Sequence, residues 1–222
     1  MATKDKKADN AQKGKTILST ALRSDTSSTT ITVKKAYTGK EIIDLYNSGR
    51  RDFKSINAIG VNLSGANLKH VDFKFANLQN ANIQDADIYG ANLLEANLTG
   101  ANLQNADLEG ANLSGTNLFG AKLHNANIKG ANLIRADLRY ADISGACLRN
   151  ANLSGAYLSN AHMSHADLKY ADLTGADLQN VNFEGTDLFG AKLRSANFEG
   201  ANLSNTHLSH GDRRYINLQG AK

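Results

Sequence analysis

The sequence predicts an all-β fold, a β-solenoid wound from short straight sides, and three observations carry that prediction. A five-residue unit runs in unbroken phase from Val61 to Gly220, 32 units without an insertion or deletion. Its third position is Leu, Ile, Phe or Met in 31 of the 32, and its second is Asn or Asp in 26. Its fifth is most often Gly or Asn. A period of five sweeps around every face of a helix, and frequent Gly weakens a helix further. In an extended chain, positions one and three point the same way and position two points opposite. Small Ala at position one and Leu at position three then face inward, and Asn or Asp faces out. Positions four and five turn the chain, where Gly and Asn tolerate positive φ.

Each unit is therefore one short side and one corner. If four sides close a turn, twenty residues make a coil. At strand spacing of roughly 4.8 Å, about eight coils give a rod on the order of 39 Å long. Ala and Leu stack in internal columns, and Leu supplies most of the buried area. Asn at position two can build ladders of stacked amides along the outside.

The A(N/D)LXX pattern, in units such as ANLKH, ADIYG and ANLTG, resembles the pentapeptide-repeat family. That resemblance implies a right-handed quadrilateral β-helix. The weaker units RDFKS and INAIG at 51–60 carry the phase upstream. The segment KEIIDLYNSGRRDF (40–53) is similar to the short helix and RDF opening of many bacterial members, cyanobacterial ones especially. It implies a helix whose Ile42, Ile43, Leu45 and Tyr46 cover the first coil, which would otherwise present an unpaired strand edge.

The chain divides in order as follows. Residues 1–28, rich in Lys, Ser, Thr and Asp and poor in large apolar side chains, read as a disordered basic tail. Residues 29–50 hold an alternating stretch, TTITVK at 29–34, that can add one edge strand, and then the capping helix. Residues 51–222 are the solenoid. At the far end the pattern decays: Arg213 stands where Leu belongs, and only INLQG and Ala-Lys follow. A charge has no place unpaired on a dry axis. Either the last coil frays with Arg213 turned outward, or two copies meet end to end as a homodimer, which some family members form.

Composition narrows the function. The formal charge of +4 belongs to the N-terminal part: residues 1–50 hold ten Lys/Arg and five Asp/Glu, residues 51–222 fifteen and sixteen. There is no Pro, no Trp and one Cys, so no internal disulfide framework and no cysteine-rich metal site is expected. The plain expectation is a cytoplasmic protein. No apolar run is long enough to span a bilayer, and the N-terminus lacks a signal-peptide apolar core.

No catalytic constellation emerges. The histidines are His70, His124, His162, His165, His207 and His210; two pairs have His-x-x-His spacing, but one member of each falls on a side and the other at a corner. A zinc site needs three or four convergent ligands, so no metal is expected. Cys147 occupies an outward second position in place of Asn. Ser residues sit on a regular surface with nothing folded over them to exclude water. There is no phosphate-binding GxxxxGK[ST], no GxGxxG opening a helix and no implied cofactor.

Surfaces then carry any function. One fourth-position column runs Lys69, Tyr89, Glu109, Lys129, Arg149, Lys169, Phe189, Ser209. Lys129, Arg149 and Lys169 are consecutive cations roughly 5 Å apart at strand spacing. They favour an anionic partner unless Asp167 and Asp187 on the neighbouring column neutralise them. A second candidate surface holds Phe119, Arg139, Tyr140 and Tyr157, aromatics with an Arg, the composition of binding hot spots. The expectation is a non-catalytic interaction or scaffold rod with a protein partner. Some family members mimic duplex DNA and protect gyrase, but mimicry needs a strongly acidic face, which this near-neutral solenoid lacks. An exported effector, suggested by the basic Ser/Thr-rich segment 13–32, is the third alternative. No nucleic acid and no membrane partner is expected, since aspartates interleave the lysines and no aromatic platform accompanies them.

Overall fold

The structure, a computed structural model, describes residues 35–208 and 216–222. From Asp52 to Asp187 the second position of each unit bridges in parallel to the residue twenty further on, as Asn62 to Asn82 and Asn82 to Asn102. Near the end these bridges lengthen into the two-residue parallel strands β1 (Asp187–Leu188) and β2 (His207–Leu208). Four sides thus repeat every twenty residues. Side I begins at Val61, side II at Ala66, side III at Val71 and side IV at Ala76.

The backbone explains the five-residue chemistry, because every N–H of a unit has its own kind of partner. The second-position N–H donates to a first-position carbonyl one coil back, Asn82 N to Val61 O at 2.8 Å. The third- and fifth-position N–H groups donate one coil forward, Leu63 N to Asn82 O at 2.7 Å and Gly65 N to Gln84 O at 2.8 Å. The first-position N–H closes the corner, Ala66 N to Leu63 O at 3.1 Å. That corner places the fifth residue at positive φ, as residue i+2 of a type II turn requires. The fourth-position N–H is left, and the second-position side chain accepts it: Ser64 N donates to Asn62 Oδ1 at 3.1 Å. Asn or Asp at position two is therefore a turn residue as well as a ladder rung.

Inside, the Ala and Leu columns are buried from Leu63 to Ala201, and larger rings fill the core towards both ends. Phe53 packs on Phe73 with centroids 5.7 Å apart, and Phe183 on Phe198 at 5.5 Å. Among the described residues the two buried polar ones, Thr116 and Thr186, each donate to a carbonyl 23 residues back, Leu93 O at 2.8 Å and Met163 O at 2.7 Å. Outside, amide ladders run from coil to coil, as Asn82 Nδ2 to Asn62 Oδ1 at 3.2 Å and Asn102 Nδ2 to Asn82 Oδ1 at 3.3 Å.

Helix α1 spans Gly39–Asn47. Thr38 and Glu41 form a capping box that satisfies its first amides. Ile42 is fully buried against the solenoid core, Ile43 and Leu45 pack on it partly buried, and the Tyr46 hydroxyl donates to Lys69 O at 2.9 Å. Arg51 stacks on the Tyr46 ring, 3.7 Å from its centroid. Just before the helix, Ala36 bridges to Asn57 and Tyr37 N donates to Asn57 O at 2.9 Å, so a short edge pairing exists here. The segment 29–34, where an edge strand was expected, and the tail at 1–28 lie outside the described residues, as does Arg213. Asn197 bridges to Asn217, so the twenty-residue register is in place again at Asn217.

Candidate functional site

The first candidate surface lies on side II, and its geometry is a set of ion pairs. Lys129 Nζ is 3.0 Å from Glu109 Oε1, Arg149 Nε pairs with Asp167, and Lys169 Nζ is 2.7 Å from Asp187 Oδ2. Lys69 pairs in the same way with Asp87 at 3.0 Å. Three of these follow one rule: a fourth-position cation meets the second-position aspartate eighteen residues later. The pairs raise the lysine and arginine pKa values, each chiefly through the hydrogen bond to its carboxylate. The column is therefore neutralised along its length, and solvent screens exposed pairs of this kind. The same pairing interrupts any acidic stripe on this side.

The second candidate surface lies on side IV, where the structure brings its four residues together. Phe119 and Tyr140 have ring centroids 5.3 Å apart, tilted by 55°. The Arg139 guanidinium stands 5.7 Å from the Phe119 centroid. It also holds Asp137 through two bonds, Nε to Oδ1 at 2.9 Å and Nη2 to Oδ2 at 2.6 Å, which push the Asp137 carboxyl below its ordinary range. Tyr157 stands one coil above Asp137 in the second-position column. It replaces Asn there, breaks the ladder and leaves a ring 51 % exposed. Beside Arg139 and Tyr157 lies an open depression of about 330 Å³, lined by these two with Gly115, Asn117, Arg135 and Asp137.

Other aromatic contacts escape a reading by columns alone. His70 meets Tyr89 edge-on at 5.4 Å, and Tyr170 meets Phe189 edge-on at 5.8 Å. In both, a corner residue meets the fourth-position residue nineteen further on, and that spacing is the signal that finds them in the sequence. Phe189 also lies 5.6 Å from His207.

One polar chain has the residues of a hydrolase but not the order. On side I the Ser144 hydroxyl donates to Asp142 Oδ1 and sits 2.9 Å from His124 Nδ1. The serine proton is engaged by the carboxylate and not by the imidazole, the reverse of what nucleophile activation needs. Among the described residues no group of three or more His, Cys, Asp or Glu is placed to hold a metal ion, and no helix is long and apolar enough to cross a membrane. At the C-terminal end, Leu203, Thr206, Leu208, Ile216, Leu218, Ala221 and Lys222 line a shallow depression of about 300 Å³.

The register, the buried columns and the Asn ladders define a pentapeptide-repeat β-helix. The family model for pentapeptide repeats matches in eight copies, over residues 52–85, 59–93, 76–115, 116–155, 146–185 and 186–222. The chain belongs to the pentapeptide-repeat family.

Among solved structures it is similar to HetL, a pentapeptide repeat protein involved in heterocyst differentiation regulation from the cyanobacterium Nostoc sp. strain PCC 7120. The identity is 28 %, over 84 % of this chain and 94 % of that one, with a TM-score of 0.46. It is similar to alr5209, a pentapeptide repeat protein from Nostoc PCC 7120, at 36 % identity over 48 % of this chain and 84 % of that one, with a TM-score of 0.40. It is also similar to QnrB1, a plasmid-mediated fluoroquinolone resistance protein, at 21 % identity over 76 % and 88 %, with a TM-score of 0.47. A search of curated protein sequences found no match.

Proposed function

We propose that this protein is a non-catalytic interaction rod of about eight coils, closed at its N-terminal end by α1, whose side IV engages a protein partner. One observation carries the proposal. On a surface built mainly of Asn, Asp, Gly and small polar residues, Phe119, Tyr140 and Tyr157 are exposed together around a paired Arg139. None of these residues serves the coil. Tyr157 forfeits a ladder rung, and Tyr140 occupies a positive-φ corner that Gly or Asn fills with less strain. Rigid aromatics beside an arginine bury large area at small entropic cost, which suits a contact surface.

The test is affinity capture with the full chain and with a Phe119→Ser/Tyr140→Asn/Tyr157→Asn variant, in which each tyrosine is replaced by a residue the repeat uses often at that position. A partner held by the natural chain and lost by the variant supports the proposal. A partner held equally by both removes side IV from it. The neutralised carboxylates of side II give no support to a DNA-mimicking role.

A further inference from the structure

We propose that the depression beside Arg135 takes an acidic side chain of a protein segment whose neighbouring aromatic or aliphatic residue lies on Phe119 and Tyr140. This rests on the interaction-rod reading and gives it a ligand chemistry.

The argument begins with charge. Two arginines and one aspartate line the depression, and Arg139 is already committed to Asp137 by two hydrogen bonds. Arg135 has no carboxylate partner among the described residues. One positive charge therefore faces an open cavity, whereas the cations of the fourth-position column of side II are all matched.

Space comes next. Arg135 occupies a corner, and the corner residues directly below and above it are Gly115 and Gly155. Neither presents a side chain, so the guanidinium has room to turn into the depression; its Cγ lies 3.7 Å from where a Cβ on Gly155 would stand. The exposed Tyr157 also lines the depression. A carboxylate can meet a planar guanidinium through two parallel bonds, which fixes orientation as well as charge.

The apolar half of the ligand follows from Phe119 and Tyr140. They lie across side IV from Arg135, a distance that roughly three or four residues of extended chain cover at about 3.4 Å each. The occupant is then an acidic residue separated by a few positions from an aromatic or aliphatic one. The chain's own first 34 residues carry the wrong charge for an arginine-lined depression, with seven Lys/Arg against three Asp/Glu. A second copy docking through the same side would set arginine against arginine.

The test uses a phage-displayed random dodecapeptide library panned on the full-length protein. Counter-selection is on Arg135→Asn/Tyr157→Asn. Both changes install residues the solenoid already uses, since Asn105, Asn125 and Asn150 hold equivalent positive-φ fifth positions at other corners, so the fold is retained and circular dichroism checks it. Enriched peptides should pair Asp or Glu with Phe, Tyr, Trp or Leu within four positions. As synthetic peptides they should lose about tenfold or more in affinity on Arg135→Asn and be indifferent to Tyr89→Gln on side II. Enriched peptides without an acidic residue, or equal affinity for the Arg135→Asn protein, would overturn the proposal, as would no enrichment. If panning without the counter-selection enriches only peptides that depend on Tyr89, this site is removed while the rod remains a binding surface elsewhere.

Discussion

The side-chain amide of Asn112 donates to Asn92 Oδ1 at 3.3 Å, and the same oxygen accepts the Leu94 backbone N–H at 3.3 Å. Asn92 in turn donates to Asp72 Oδ1 at 3.1 Å. One side chain thus closes its own turn and joins three coils. Asn92→Ala removes all three bonds and leaves a half-buried backbone N–H without its acceptor. The expected loss is about 1–3 kcal/mol, read from chemical denaturation. Ser114→Ala, at a variable fourth position, should cost under about 0.5 kcal/mol.

Cys147 is the converse case. It interrupts the column between Asn127 and Asp167, and its thiol cannot close the turn as an Asx side chain does. Cys147→Asn should raise stability by about 0.5–1.5 kcal/mol, seen as a higher thermal midpoint. A lower midpoint would show that the second position is chosen for packing and not for its oxygen.

Corner glycines divide into two kinds. Gly110 and Gly190 have φ of +68° and +69°, so an added side chain is strained equally at both. A Cβ on Gly190 would also lie 2.6 Å from the Tyr170 ring, whereas one on Gly110 meets nothing within 4 Å. Gly110→Ala should cost about 1 kcal/mol. Gly190→Ala should cost more and displace the ring from Phe189, visible as a loss of the Tyr170–Phe189 cross-peaks by nuclear magnetic resonance.

At the N-terminal end, Glu41 is held down to a pKa of about 2 from an ordinary 4.5. The Lys35 ammonium contributes most, then the Thr38 backbone N–H and the Thr38 hydroxyl. Because the folded value is depressed, this stabilisation of α1 is present above the unfolded value. It is lost as pH falls from about 4.5 to about 2. A carboxyl titration followed by nuclear magnetic resonance should place the Glu41 midpoint near the lower figure, and the Thr38 amide should shift with it. A midpoint at the ordinary value would mean that the capping box is open in solution.

The fold was largely legible because a five-residue period leaves one arrangement in which Leu is always inside. Leu63, Leu113 and Leu178 are buried for that reason alone. The Asn ladders followed from the same alternation. What the period could not show was which neighbour a flexible side chain chooses. Lys129 reaches back twenty residues to Glu109, while Lys169 reaches forward eighteen to Asp187, and both options are close on a lattice of this spacing. The bond from Ser64 N to Asn62 Oδ1 was hidden for a different reason: outward exposure already explained an Asn there, so its turn role left no further trace. Arg135 was passed over because it sits at a corner, where Gly and Asn are expected, and its lack of a partner is visible only once the neighbouring carboxylates are placed.

The central claim, that side IV is the contact surface, is tested most directly by photo-crosslinking in the cell. A photoreactive residue at Ser159, one coil above Arg139 in the fourth-position column of side IV, should yield a discrete protein adduct. The same residue at Gln104 on side I should yield none. Adducts of equal yield at both positions, or an adduct at Gln104 alone, would contradict the account.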